Sequence, residues 1–207
     1  MQTNGHISAV VFDLGGVLLD WDPRHLYRKL FDDEAEMDRF LTEVCTMEWH
    51  HAHDLGVPPE ETMPPLIAAH PEYADMIRVW TQRSEEMLGE PFEETIEILR
   101  SLKQAGVRCY ALTNMESWTY PPRLERYPFL GWFDGTVVSG DEGVAKPDPR
   151  IFELLLERFG LNAASTLFVD DKPGNVAAAR GLGMPAVVFE SPEQLRHVLE
   201  DAGLLPR

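Results

Sequence analysis

Cysteine is nearly absent: the 207 residues carry only Cys45 and Cys109. These two lie far apart and form neither a metal-binding nor a redox spacing, so both are expected to be reduced thiols of a cytoplasmic protein. Basic residues are also scarce. Eighteen lysines and arginines face 35 acidic residues, for a formal net charge of -17. A surface of that sign repels nucleic acid and anionic membrane, so neither is expected as a partner, whereas a small anion remains compatible if the site carries its own cations. No apolar run approaches the ~20 residues that span a bilayer. Residues 1–5 hold no basic region leading into an apolar stretch, so no signal peptide is expected. Repeats and low-complexity tracts are missing as well. What remains, 44% hydrophobic and 26% charged residues, describes a chain able to bury a full core and carry one small accessory domain.

From residue 91 onward helical and strand periods alternate. Residues 91–105 place Ile96, Leu99 and Leu102 at helical spacing, with Gly106 as the stop. Residues 107–113 read as a strand, and 135–139 as another, rich in β-branched side chains. Asp148-Pro149 opens a helix, the acid as N-cap and the proline in the first helical position. That helix carries Phe152, Leu155, Leu156 and Phe159 to the core and ends at Gly160. A strand at 166–170, a helix including 176–182, a strand at 186–189 and a capping-box start at Ser191-Pro192-Glu193-Gln194 complete the series. Repeated β-α-β units of this length imply an α/β fold with a doubly wound, Rossmann-like parallel sheet, which a first strand at 7–13 joins. Residues 20–88 show no strand, and Pro58-Pro59, Pro64-Pro65 and Pro71 interrupt their helical period. They are expected to form an all-helical cap domain, leaving 1–19 and 89–207 as the core. Residues 115–132 are expected to be a loop with short helical pieces.

The first strand ends abruptly at Asp13, followed by Gly15-Gly16. A carboxylate at the tip of a buried apolar strand is costly unless it has a charge partner or a task. Three other segments supply partners: Leu112-Thr113-Asn114, Ala145-Lys146-Pro147 and Phe168-Val169-Asp170-Asp171. They add a hydroxyl, a fixed cation and an acid pair suited to a metal. Ligands of open parallel sheets bind at the carboxyl ends of strands, where Asp13, Thr113 and Asp170-Asp171 all fall. The set suits phosphoryl transfer through a metal-assisted aspartyl intermediate.

Through Phe12-Asp13-Leu14-Gly15-Gly16-Val17-Leu18, Leu112-Thr113-Asn114, Lys146-Pro147-Asp148 and Val169-Asp170-Asp171-Lys172-Pro173-Gly174-Asn175, the chain resembles the haloacid dehalogenase superfamily over nearly its whole length. Its Asp-Leu-Gly-Gly start and the stretch from Glu48-Trp49-His50 to Asp54-Leu55-Gly56 are similar to bacterial sugar-phosphate phosphatases, including those acting on glucose 1-phosphate. The resemblance implies that Asp13 attacks phosphorus and that Mg²⁺ is held by the Asp13 carboxylate, the Gly15 carbonyl and Asp171. It implies Asp170 as a catalytic support that orients a metal-bound water, and Asn175 as a support of the loop. Gly16, Thr113, Asn114 and Lys146 would bind the phosphoryl group, Thr113 and Lys146 sharing in catalysis. The partner would be a phosphorylated small molecule, and the protein a monomer or homodimer.

One part of the family pattern is missing. Phosphatases of the family carry a second aspartate two residues after the nucleophile, as acid for the leaving group, and here that place is Gly15. General acid catalysis is worth ~10²–10⁴ in rate, so three explanations stand. The leaving group is a good one, as in a sugar 1-phosphate; Asp20 or Asp22 supplies the proton; or the protein binds phosphate metabolites without turnover. Carbon-halogen hydrolysis is the alternative reaction class, and it needs no Mg²⁺. Among other residues, Glu48, His50, His51, His53 and Asp54 are expected on a polar cap face that is solvated or touches substrate rather than around a transition metal. Trp49 and Trp118 are expected to pack, Arg24 and Arg123 to be solvated, and Met37, Met47, Met63, Met76 and Met87 to fill the cap core.

Overall fold

The computed structural model describes residues 6–206; the targeting-signal reading and the first five residues of the expected core fall on 1–5, outside the described residues, as is residue 207. Seven strands are present among the described residues: β1 (Ala9–Phe12), β2 (Leu19–Trp21), β3 (Leu88–Pro91), β4 (Arg108–Thr113), β5 (Gly135–Val138), β6 (Thr166–Asp170) and β7 (Ala186–Val188). All four residues of β1 are buried, as befits a strand with neighbours on both edges and helices on both faces. Five strands form a parallel sheet in the order β5-β4-β1-β6-β7. The chain goes from β1 to β4 and β5 on one side, then returns to add β6 and β7 on the other. The reversal leaves the carboxyl ends of β4, β1 and β6 side by side, at Thr113, Asp13 and Asp170.

Period-two alternation divides the apolar residues between two helical layers. Val10, Phe12, Cys109, Ala111, Leu167 and Val169 share a cluster with Leu99 and Leu102 of helix Glu93–Gln104 and with Leu195 and Leu199 of helix Pro192–Asp201. On the opposite face Val11, Leu112 and Phe168 pack with Phe152 and Leu155 of helix Pro149–Arg158 and with Val176 of helix Pro173–Gly181. Phe152 meets Phe168 edge-on, the ring centroids 5.2 Å apart. Asp148 and Ser191 cap their helices, accepting from the amides of Arg150 and Gln194. Both cysteines are free and buried; burial raises both thiols, that of Cys109 to about 12.

Between β2 and β3 the chain is largely helical and has its own cluster, built on Tyr27, Phe40, Ile77 and Trp80. The stretch at 20–88 is not strand-free at its ends, however. β2 and β3 pair antiparallel and carry the chain out of the core and back. Strands of three and four residues, one containing Gly89 and Pro91, are too short to show an alternation. Nor do the prolines end the helix there: Pro59–Ala69 runs through Pro64 and Pro65. Two amide hydrogens are missing there, and packing of Met63, Leu66 and Ile67 against the cluster of Tyr27, Phe40 and Trp80 offsets their loss. Within 115–132, helix Tyr120–Arg126 and the 3-10 turn Pro128–Trp132 are the short helical pieces expected.

Candidate active site

Asp13 is nearly enclosed one residue beyond β1. Its Oδ1 accepts the Leu14 amide at 2.7 Å and lies 2.8 Å from Lys146 Nζ. The same ammonium donates to Asp170 Oδ2 at 2.7 Å. Burial pulls the Lys146 pKa down, but Asp13 and Asp170 outweigh it and the net shift is upward, so Lys146 is a fixed cation. At Asp13, burial raises the carboxyl to about 7 and the charge of Asp170 adds to this, while Lys146 opposes both.

Asp170 is fully buried, and its oxygens are saturated. Besides Lys146, they accept the Lys172 amide at 2.8 Å and the Asn175 side-chain amide at 2.9 Å. With no remaining lone pair to offer, it fixes Lys146 and the start of helix Pro173–Gly181. Asp171 differs: its Oδ1 is buried with no hydrogen-bond partner. Carboxylate oxygens of Asp13, Asp170 and Asp171 all lie within 4.8 Å of one another. Two buried acids and the half-buried Asp171 face one buried lysine, and the excess negative charge, the orphaned Asp171 oxygen and the all-oxygen donor set fit a hard divalent cation such as Mg²⁺.

The expected residues Asp13, Gly15, Gly16, Thr113, Asn114, Lys146, Asp171 and Asn175 line one cavity of about 290 Å³; Asp170 lies behind it. Two of them also make bonds within the chain. The Asn114 side chain both donates to the Lys146 carbonyl and accepts from its amide, each at 2.9 Å, so it braces the lysine. The Gly16 amide donates to the Leu19 carbonyl at 2.9 Å and is not free for a phosphate. Glycine is required there for another reason: φ is +72°, and a Cβ would come within 2.8 Å of the Asp171 carboxyl group.

The opposite wall comes from Trp21 and Leu88 of the ribbon, from His50 and Asp54 of helix Met47–Asp54, in the stretch expected to be polar or to touch substrate, and from Glu116 and Arg123. Trp21 stacks on His50 at 5.2 Å. His50 Nδ1 accepts from Trp80 Nε1 at 3.2 Å, which leaves the proton on Nε2, and burial lowers its pKa to about 4. His50, His53 and Asp54 are buried, and His50 and Asp54 face the cavity. Arg123 is 3% exposed and pairs with Glu85 at 3.2 Å, against the expectation of a solvated side chain, whereas Arg24 pairs with Asp38 at the surface. Trp118 and Met47, expected to pack, are 40% and 52% exposed. Neither Asp20 nor Asp22 lines the cavity. Asp20 is 2.9 Å from His25 Nε2, and Asp22 caps the Arg24 amide, so both are withdrawn as proton donors. Only a folded chain could reveal this wall, because its residues are spread from position 21 to position 123 with no shared spacing.

The chain is similar to known proteins over most of its length. It is 30% identical to a sesquiterpene phosphatase of Aspergillus oryzae, covering 86% of this chain and 87% of that one. It is 27% identical to a phosphorylated carbohydrates phosphatase of Thermotoga maritima, covering 87% and 84%. A solved HAD-family enzyme from Bacteroides thetaiotaomicron shares the fold, with a TM-score of 0.71 at 21% identity over 94% of this chain and 99% of that one. The haloacid dehalogenase-like hydrolase model matches residues 7–183. On that match and on the strand-end site just described, the chain belongs to the haloacid dehalogenase-like hydrolase family.

Proposed function

We propose that the chain is a Mg²⁺-dependent phosphatase that hydrolyses a compact organic phosphate monoester, a sugar phosphate among the candidates, through an aspartyl-phosphate on Asp13. The observation that carries this reading is Lys146 Nζ bridging Asp13 and Asp170 at 2.8 and 2.7 Å beside an orphaned Asp171 oxygen. Carbon-halogen hydrolysis has no use for that oxygen or for the surplus carboxylates. The two phosphatase relatives support the same class of ester. Residues 20–88 would serve as the cap and 1–19 with 89–207 as the catalytic core.

In this reading Mg²⁺ is held by the Asp13 carboxylate, the Gly15 carbonyl and Asp171. When bound, it neutralises charge on the phosphoryl group. Asp13 Oδ1 is fixed by Lys146 and Leu14, which leaves the other oxygen to attack phosphorus. Thr113 and Lys146 stabilise the phosphoryl oxygens, with Asn114 holding the Lys146 backbone in place. The cavity volume and the apolar side chains of Leu19, Trp21, Leu88 and Met115 favour a short leaving group with an apolar face.

Phosphate release from p-nitrophenyl phosphate and α-glucose 1-phosphate, with Mg²⁺ or EDTA, tests the proposal. Release that requires Mg²⁺ and disappears in Asp13→Asn is expected. Metal-independent turnover, or turnover that survives the substitution, would refute it.

A further inference from the structure

We propose that Asp54, at the end of helix Met47–Asp54, is the proton donor to the leaving group; the assignment rests on the phosphatase reading above. Asp54 lines the same cavity as Asp13 and Gly15. Its position is fixed through its own backbone: Ser139 Oγ, just past β5, donates to the Asp54 carbonyl at 2.6 Å and accepts the Met115 amide at 3.0 Å. Two residues on, Gly56 has φ +83°, and a Cβ there would collide with the Gly140 carbonyl oxygen. The end of the cap helix is therefore seated on the core, and Asp54 is held above the nucleophile's side of the sheet.

The side chain is free to exchange a proton. Its nearest basic neighbours, His50 Nε2 at 3.7 Å and His51 Nδ1 at 3.8 Å, are beyond hydrogen-bond range. Glu116, the other cavity acid on this wall, already accepts from the Thr119 hydroxyl at 3.1 Å. The charges around Asp54 favour its protonated form. Burial, Glu116 and Asp13 raise its pKa to about 7, against the opposing effect of Lys146 and Arg123. An acid poised near neutrality suits proton transfer in both directions.

The steps balance as follows. An Asp13 oxygen bonds to phosphorus as the ester P–O bond breaks, and the leaving oxygen takes the Asp54 proton, so a neutral alcohol departs. Asp54, now a carboxylate, takes a proton from the water that attacks the aspartyl-phosphate. The bond between phosphorus and the Asp13 oxygen breaks, phosphate leaves, and both side chains return to their starting states.

Two esters of near-identical shape separate this role from a structural one. p-Nitrophenyl phosphate releases a phenolate that needs no proton, and p-nitrobenzyl phosphate releases an alkoxide that does. First-turnover release of each alcohol isolates transfer to Asp13. In Asp54→Asn the benzyl-to-phenyl rate ratio should fall by ~10²–10⁴, and the decline of the wild-type benzyl rate as pH rises through about 7 should vanish. Adding Gly15→Asp should restore part of the ratio, since nothing lies within 4 Å of a Cβ at position 15. An unchanged ratio in Asp54→Asn, or a fall in Glu116→Gln instead, would overturn the assignment while leaving the phosphatase reading intact. Release of neither alcohol by the wild-type protein with Mg²⁺ would overturn both.

Discussion

Lys146 controls the electrostatics of the site, because it is the cation placed between two carboxylates that would otherwise be buried side by side. Lys146→Met leaves Asp13 and Asp170 without it. Breaking a buried pair costs about 3–5 kcal/mol, so urea unfolding should show a loss of that order together with loss of turnover. Asp54 presents the opposite case, a carboxyl whose ionisation the fold penalises. Its folded pKa of about 7 lies above the unfolded value, so the native state binds the extra proton between about pH 4 and 7. Stability attributable to Asp54 therefore falls as pH rises through that window. Asp54→Asn removes the penalty, and its melting temperature should exceed that of the wild type at pH 8 while approaching it at pH 4. A lower melting temperature at pH 8 would show that the carboxylate is stabilised by its neighbours. Gly16→Ala is expected to abolish turnover, because both the positive φ and the Asp171 carboxyl stand against it.

Helix Met47–Asp54 and the segment after β5 together place the two sides of the cavity. One hydroxyl, Ser139 Oγ, links the cap carbonyl of Asp54 to the core amide of Met115. Ser139→Ala leaves those groups buried and unpaired, at a cost of about 1–3 kcal/mol. Steady-state assays on p-nitrobenzyl phosphate should show reduced turnover with the fold retained by circular dichroism. Phe152→Ala, far from the cavity, tests the core alone: a fully buried ring lost from beside Phe168 should cost about 3–5 kcal/mol. These elements were unequally legible. The helix Pro149–Arg158 shows its N-cap, its first-turn proline and its apolar face in consecutive residues. β2 and β3 show nothing comparable, since their pairing joins residues near 20 to residues near 90. The helix through Pro64-Pro65 was equally hidden, because the packing that tolerates the prolines is not local.

The whole molecule carries a net charge of -17, and the metal-binding corner of its site repeats that sign, with Asp13, Asp170 and Asp171 around one lysine. A cation binding only the native site stabilises the fold by about 2.7 kcal/mol at a hundred times its Kd, which for a chain of this size raises Tm by roughly 5–10 °C. Mg²⁺ titration should show that rise in the wild type and most of it lost in Asp171→Asn. An equal rise in both proteins would place the ion elsewhere. Asp13, Thr113 and the Asp170-Asp171 pair could be found from the sequence because each lies at the end of an apolar strand, and strand-end polarity is a local signal; Lys146, in the loop before helix Pro149–Arg158, was found through the Lys146-Pro147-Asp148 motif. Trp21 and Leu88 could not, since they sit on a ribbon whose two strands are distant in the chain.

By itself the sequence determined the α/β alternation, the doubly wound sheet and the strand ends that carry Asp13, Thr113 and the acid pair. These follow from apolar periodicity and from the high cost of burying a charge without a purpose. Only the tertiary structure decided which of these groups face the cavity and which are consumed in holding others. It turned the Asn114 side chain and the Gly16 amide inward to Lys146 and Leu19, set Asp170 behind the cavity, and put Asp54 on the wall of the cavity that Gly15 also lines. Hydrogen-bond partners and burial are properties of contacts between distant segments, and no local spacing encodes them.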